Sequence, residues 1–531
     1  MRTTDVRQRK HTHGLPTTVR AVRRAGSERA GEPPSVATHP AAGPDGPGKS
    51  VAARTVTGLF WAYGAYVGGR ALVLVSTAIL ARLLSPSDFG LVALAVVFMT
   101  FLDSVRDLGL TQALIGSAAD EVEEQTQTVF VGTVAIGGLL ALCAAAIGPL
   151  ASGFFGHAEL ALIIPVLAGN FFLQALGATH DALARKALDY RARTVAECAD
   201  VVLRGLTGIG LALAGAGVWS LVIGYVVGTV ARDLALWAQI PWRPSFSFPR
   251  THLRRLVRFG GVLTLVDIVA AVGSNIDYLF VGRVLGPSAL GVYTIGFRLP
   301  ELLILNLAIV AGDVLFPAYA ALDRDRLQAG FLVSLRYIAV LVLPVAVTLI
   351  VLARPTVLTL FGDKFAGSVD VMRALALYAL FAAVNIPAGT IYKVTGRGAV
   401  LLYTAVPYVI VLAIAIALLT DRGILAVGLV HAACQGAIAT ISLVIASRML
   451  RIGLRRIWKA VSAPVLATAA MGTAMLPVAE LVSAPAAGLV LGSLVGVVVY
   501  FAAIMVLDRE LLVQLKARVM PGGAAAPRAA G

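Results

Sequence analysis

The sequence predicts an all-α integral membrane protein of about fourteen transmembrane helices. They form two pseudo-symmetric six-helix lobes in a parallel repeat, followed by two C-terminal helices. Three observations carry that reading. The 531 residues are 58% hydrophobic and only 14% charged, with a mean hydropathy of +0.85, whereas soluble domains carry about a quarter charged residues. The apolar stretches run continuously instead of alternating as barrel strands do, at about the 20-residue length that crosses ~30 Å of hydrocarbon. Finally, the sequence repeats itself across its two halves.

Breaks at Gly, Pro and charge give the spans 56–82, 88–112, 127–151, 158–180, 196–215, 217–239 and 257–282. They continue as 288–316, 332–353, 368–392, 398–419, 423–447, 458–479 and 485–507. Residues 55–242 then form an N-lobe, 243–448 a C-lobe and 449–510 the last two helices. Residues 1–54, basic and Pro/Gly-rich with few large apolar side chains, cannot bury a core and are expected to be a disordered cytoplasmic tail. Residues 511–531 form a second tail.

Basic residues set the orientation. Both tails and the even-numbered connections hold most of the Lys and Arg outside the spans, among them Arg185, Arg193, Arg243, Arg326, Lys393, Arg448 and Lys459. The other side holds only Arg82, Arg283, Arg354, Lys364 and Arg422. Short basic loops stay cytoplasmic, so both termini are expected inside. The net charge of +15 therefore reflects topology, and nucleic acid is not expected as a partner. Cys143, Cys198 and Cys434 fall in apolar runs without metal-ligand spacing and read as buried small hydrophobes.

The repeat aligns ARLLSPSDFGLVALAVVF from Ala81 with GRVLGPSALGVYTIGFRL from Gly282 without gaps. Arg82/Arg283, Leu84/Leu285, Pro86/Pro287, Ser87/Ser288 and Gly90/Gly291 coincide. Six spans separate the copies, so they share one orientation. Two such bundles facing a cleft are the architecture of an alternating-access transporter.

A charge at mid-bilayer costs at least ~2.5–3.5 kcal/mol, so each needs a partner or a wet cavity. Arg70, amid Gly64, Gly68 and Gly69, has no acid within a turn, and a ligand or a neighbouring helix must balance it. Asp103–Arg106 and Arg298–Glu301 share faces at i,i+3, and Asp200–Arg204 at i,i+4. Glu197 is left over on the Asp200 face as a proton-site candidate. Asp277 has no basic neighbour one turn away, which makes it a cation or proton candidate. Asn275, Arg373, Asn385 and the His431–Gln435 pair are available to line a cavity. No P-loop, metal-ligand spacing or nucleophile elbow is present, so no catalytic residue, metal or cofactor is expected.

The segments TAILARLLSPSDFGLVALAVV, NIDYLFVGRVLGPSALGVYTIGFRLPELL followed by VLFPAYAAL, and LFGDKFAGSVDVMRALAL occur in the order that resembles the Wzx-like polysaccharide-exporter flippases. The likeness is to the colanic-acid-exporter-like branch of the multidrug/oligosaccharidyl-lipid/polysaccharide exporters, and it extends over essentially all of 55–510. It implies fourteen helices in two lobes. It further implies translocation of an undecaprenyl-pyrophosphate-linked oligosaccharide to the outer leaflet of the bacterial plasma membrane. Membrane lipids and a polysaccharide polymerase are the implied partners. Asn275, Asp277, Arg283, Tyr293 and Arg298 match motif positions. Substrate contact is expected from Arg70, Arg298, Arg373 and Asn275, and coupling from Asp277 and Glu197. Competing readings are a cation-coupled multidrug exporter of the same superfamily and a lipid-precursor-binding scaffold without transport.

Overall fold

The computed structural model describes residues 68–106, 110–115, 122–187, 189–244 and 271–508. Both expected tails, the basic residues of 245–258, and Asp107 lie outside the described residues. Among the described residues every regular element is helical. The order is α1 (68–83), α2 (Pro86–Arg106), α3 (Leu110–Ile115), α4 (Val122–Phe155), α5 (Leu160–Lys186), α6 (Tyr190–Leu213) and α7 (Val218–Gln239). After the undescribed connection come α8 (271–285), α9 (286–320), α10 (Arg324–Val351) and the short α11 (Ala353–Leu360). The described residues end with α12 (Ser368–Val394), α13 (Ala399–Leu419), α14 (Ile424–Met449), α15 (Leu454–Leu481) and α16 (Pro485–Leu507).

Lipid offers the backbone no hydrogen bonds, so each apolar run must satisfy itself as a helix. Eleven described stretches are long and apolar enough to cross a membrane. One of these, 271–320, holds α8 and α9, which Gly286 separates with a φ of 85° that other residues rarely adopt. α6 falls outside the eleven because Glu197, Asp200 and Arg204 dilute it. The structure departs from the expected spans after α10, where α11 occupies the connection; of the second expected span, Pro86–Arg106 and Leu110–Ile115 are described, both as helix. Wide-turn helical segments interrupt Val281–Leu285 and Glu301–Leu305, a deviation frequent at functional sites.

The two copies of the repeat pack against each other. A Cβ on Gly90 would lie 1.8 Å from the carbonyl oxygen of Pro287, and one on Gly291 would lie 1.8 Å from that of Pro86. That reciprocity is what a two-fold axis between the copies produces, and only glycine allows the approach. Arg82 donates to the carbonyls of Thr359 and Leu360, and Lys364 donates back to Arg82 O at 3.2 Å. Arg283 lies over the ring of Phe154, 5.0 Å from its centroid. Each repeat arginine thus reaches the connection between the third and fourth spans of the other half. We call this end of the bundle the clasp.

Two buried clusters join the halves behind it. One unites Leu80, Leu84 and Phe89 with Leu299, Val342 and Phe365, and the other unites Leu94, Phe155 and Phe171 with Val281, Tyr293 and Leu375. Cys143 and Cys198 are exposed on their helices, and Cys434 is partly buried. The expectation that all three are interior is corrected, because a membrane helix points apolar side chains outward to lipid as readily as inward.

Candidate functional site

A polar concave feature lies among α2 to α7. A cavity of about 350 Å³ is lined by Arg106, Arg185, Arg204 and Arg232 and by the carboxylates of Asp181 and Asp200. Polar neutral groups, including Thr133, Gln174 and Tyr225, complete its wall.

Asp181 is the hub. Only 8% exposed, it accepts from Arg185 Nε at 2.8 Å and Arg193 Nε at 3.2 Å, and lies 3.4 Å from Arg232 Nη2. Three guanidinium groups therefore share one carboxylate. Asp200 accepts from Arg204 Nη2 on both oxygens, at 2.7 and 2.9 Å. The same guanidinium sits 4.3 Å from the centroid of Tyr225, an arrangement that stabilises a partly desolvated cation. Arg106 pairs with Asp103 at 3.1 Å and donates to Gln174.

Two absent side chains make room for this network. A Cβ on Gly228 would lie 2.2 Å from Asp200 Oδ1, and one on Gly177 would lie 2.0 Å from Asp233 Oδ1. Asp233, 7% exposed, stands 3.6 Å from Arg232. Behind the lining, Asp103 and Asp233 offset Arg106 and Arg232. The network is close to balanced overall while its cavity face is cationic. Beside it, the buried His180 stacks on Trp237 at 4.5 Å and meets Trp242 edge-on. Both tryptophans are partly buried, and Trp237 Nε1 donates to Leu176 O at 2.9 Å.

The residues named from the sequence are dispersed. Arg70 is exposed on α1. Arg298 lies 3.3 Å from Glu301, and its Nε is buried without a partner among the described residues. Arg373 pairs with Asp370 at 2.8 Å and donates to Ile350 O. Asn275 donates to Ala271 O of its own helix at 2.9 Å. Glu197, 57% exposed at its side chain, lies 3.5 Å from Arg193 at the edge of the cavity network. Asp277 is buried and accepts from Tyr293 at 2.7 Å.

Sequence reasoning missed the cavity arginines. Arg106 and Arg204 read as locally paired, and Arg185 as a loop charge. Gly177 and Gly228 admit carboxylates from other helices, Asp233 of α7 and Asp200 of α6, so no spacing within one helix signalled the approach.

Residues 79–370, more than half of the chain, match the family model described as polysaccharide biosynthesis protein. The chain belongs to that polysaccharide biosynthesis family. The succinoglycan biosynthesis transport protein ExoT of Rhizobium meliloti strain 1021 is 30% identical to it over 365 residues, which cover 67% of this chain and 72% of the relative. The lipopolysaccharide biosynthesis protein WzxC of Escherichia coli strain K12 is 25% identical, over 66% of this chain and 71% of that one.

Among solved structures, the lipid II flippase MurJ in an inward closed conformation superposes with a TM-score of 0.69. It is 15% identical and covers 85% of this chain and 100% of its own. An inward-facing multidrug resistance MATE transporter gives 0.58 at 17% identity, over 72% and 94%. The chain thus has the two-lobed helical fold seen in these two structures and is a multi-pass membrane protein.

Proposed function

We propose that the protein is a flippase that carries a polyprenyl-pyrophosphate-linked oligosaccharide from the cytoplasmic to the outer leaflet by alternating access. The observation that carries this reading is the four-arginine cavity inside a membrane-spanning lobe. A pyrophosphate head is too polar to enter hydrocarbon, and guanidinium forks match its oxygens bidentately. In the resting arrangement, Asp181 and Asp200 hold those forks. An entering phosphate competes for them, so the cations are never left bare at membrane depth. The polyprenyl tail stays in lipid.

The positive-inside pattern supports an orientation with both termini cytoplasmic. The clasp then closes the outer side, and the arginine cavity lies toward the inner side, where the precursor is made. Moving a negative head outward runs with an inside-negative potential, worth ~2.3 kcal/mol per charge per 100 mV. In this assignment residues 55–242 are the N-lobe, 243–448 the C-lobe and 449–510 the added helix pair. Of the residues named from sequence, Arg298 retains a proposed substrate contact through its unpartnered Nε. Arg70 stands as a second candidate at the lobe edge. A polymerase acting on the outer face would consume the product.

The test is a strain lacking this protein, complemented by wild type or by Arg232→Ala at equal membrane levels. Wild type restores surface polysaccharide. Arg232→Ala leaves lipid-linked precursor accumulated on the inner leaflet. Normal polysaccharide without accumulation in the deleted strain refutes the flippase reading. Drug hypersensitivity in its place favours the multidrug exporter.

A further inference from the structure

The turn before α14, Thr420–Arg422, touches Val281–Leu285 beside the clasp. The 26 residues of α14 then carry the chain ~39 Å to the opposite end of the bundle. There Leu450, Ile452 and Ile457 are buried in one cluster with Phe331 and Tyr392. The side chains between these anchors face outward. Arg448, Arg451, Arg455, Arg456 and Lys459 are exposed, and so are Leu454 and Trp458.

None of the five cations has a carboxylate partner among the described residues, and the sequence holds no Asp or Glu between Asp421 and Glu480. Lys393 and Arg397 are exposed on the connection after α12, whose Val394 and Val400 pack on the same buried cluster.

Arg451 is conformationally out of place. It follows α14 with a φ of 54°. Its N–H donates to Arg448 O at 3.2 Å, and that of Ile452 donates to Ser447 O at 2.8 Å. Glycine is the usual occupant of this left-handed closing position, and a side chain there is strained. Among the described residues the seven others with positive φ are all glycine. Strain retained at one position points to a use for the side chain retained with it.

Unpaired cations call for an anionic partner, and the apolar side chains among them say which. Leu454 and Trp458 open the apolar stretch Leu454–Leu481, which is long enough to cross a membrane. The cations therefore stand within about a turn of hydrocarbon, at the depth where an indole and lipid phosphates meet. We propose that Arg451 and its basic neighbours form a docking surface for anionic phospholipid headgroups, with Leu454 and Trp458 seated among the acyl chains. Gly453 caps α15 with no side chain, which leaves the first N–H groups and the positive end of the helix dipole to the same phosphates. Bound lipid fixes the depth of the C-lobe at the end remote from the clasp. That this is the cytoplasmic leaflet rests on the orientation proposed above; the lipid preference does not.

The experiment titrates full-length protein in uncharged detergent with phosphatidylglycerol or phosphatidylcholine and counts bound lipid by native mass spectrometry. Wild type binds phosphatidylglycerol the more tightly, and glycerol phosphate at the same concentration does not displace it. Arg451→Gly raises the thermal midpoint in lipid-free detergent, because the strain is gone. The same change weakens phosphatidylglycerol binding about fivefold, the contribution of one cation near an anionic surface, whereas Arg451→Lys keeps the affinity. Arg455→Gln with Arg456→Gln weakens it about 25-fold, two such contributions. Arg354→Gln with Arg422→Gln, at the clasp end, leaves it unchanged. Equal binding of the two lipids, displacement by glycerol phosphate, an affinity unmoved by Arg451→Gly, or an equal loss in the clasp-end pair overturns the proposal.

Discussion

Gly291→Ala separates two physical accounts of the clasp by sign. As an isolated helix substitution it should stabilise, since alanine exceeds glycine by about 0.5–1 kcal/mol in a helix. The structure gives the opposite. The new Cβ would sit 1.8 Å from Pro86 O and 3.1 Å from Gly90 N, whereas relaxed carbon–oxygen contacts lie at about 3.3–3.6 Å. α2 and α9 must therefore separate by about 1.5 Å. Overpacking of this kind costs about 1–3 kcal/mol, which shifts a two-state equilibrium about 5- to 150-fold toward the open clasp.

Leu84, 4% exposed beneath the clasp, reports on it. With the three native cysteines replaced by alanine and Leu84→Cys introduced, a polar maleimide reacts slowly with purified protein. Adding Gly291→Ala raises that rate about 5-fold or more. An unchanged rate together with a raised thermal midpoint refutes the close-approach argument, and Gly90→Ala must behave the same way if the two-fold reading holds.

The arginine cavity yields two more predictions. Asp181→Asn removes the charge that Arg185, Arg193 and Arg232 share and lowers stability by about 3 kcal/mol. That is the low end for a buried pair, because Arg185 is partly solvated; thermal unfolding in detergent reads the loss, and an unchanged midpoint would deny Asp181 its hub role. Gly228→Ala drives a Cβ into Asp200 Oδ1 and displaces the carboxylate from Arg204, at a cost of about 1–3 kcal/mol. Polysaccharide export should fall several-fold at equal protein level, while Ala→Gly changes elsewhere on α7, such as Ala235→Gly, leave it near wild type.

Local pairs were readable because helix geometry alone places i,i+3 and i,i+4 side chains together. Asp103–Arg106, Asp200–Arg204 and Arg298–Glu301 are all found within 3.3 Å. The cavity was unreadable for the complementary reason. Its wall draws Arg106 from α2, Asp181 from α5, Arg204 from α6 and Arg232 from α7. No single-helix pattern records which faces of four helices converge. Asp277 shows both sides at once. Its want of a basic neighbour one turn away marked it as unusual, yet its partners Tyr293 and His431 come from other helices.

Hydrocarbon thickness and the demand for self-satisfied backbone leave so few options that the spans and the fourteen-helix count follow from the run of residues alone. The internal duplication follows likewise, because Pro86/Gly90 and Pro287/Gly291 keep their spacing. What packing decided was the meaning of those glycines: in each copy the missing side chain admits the other copy's carbonyl, a contact between residues about two hundred positions apart. It also decided which guanidinium groups meet a cavity and which meet lipid or a neighbouring carboxylate. Side-chain direction around a helix becomes definite only once neighbouring helices are in place.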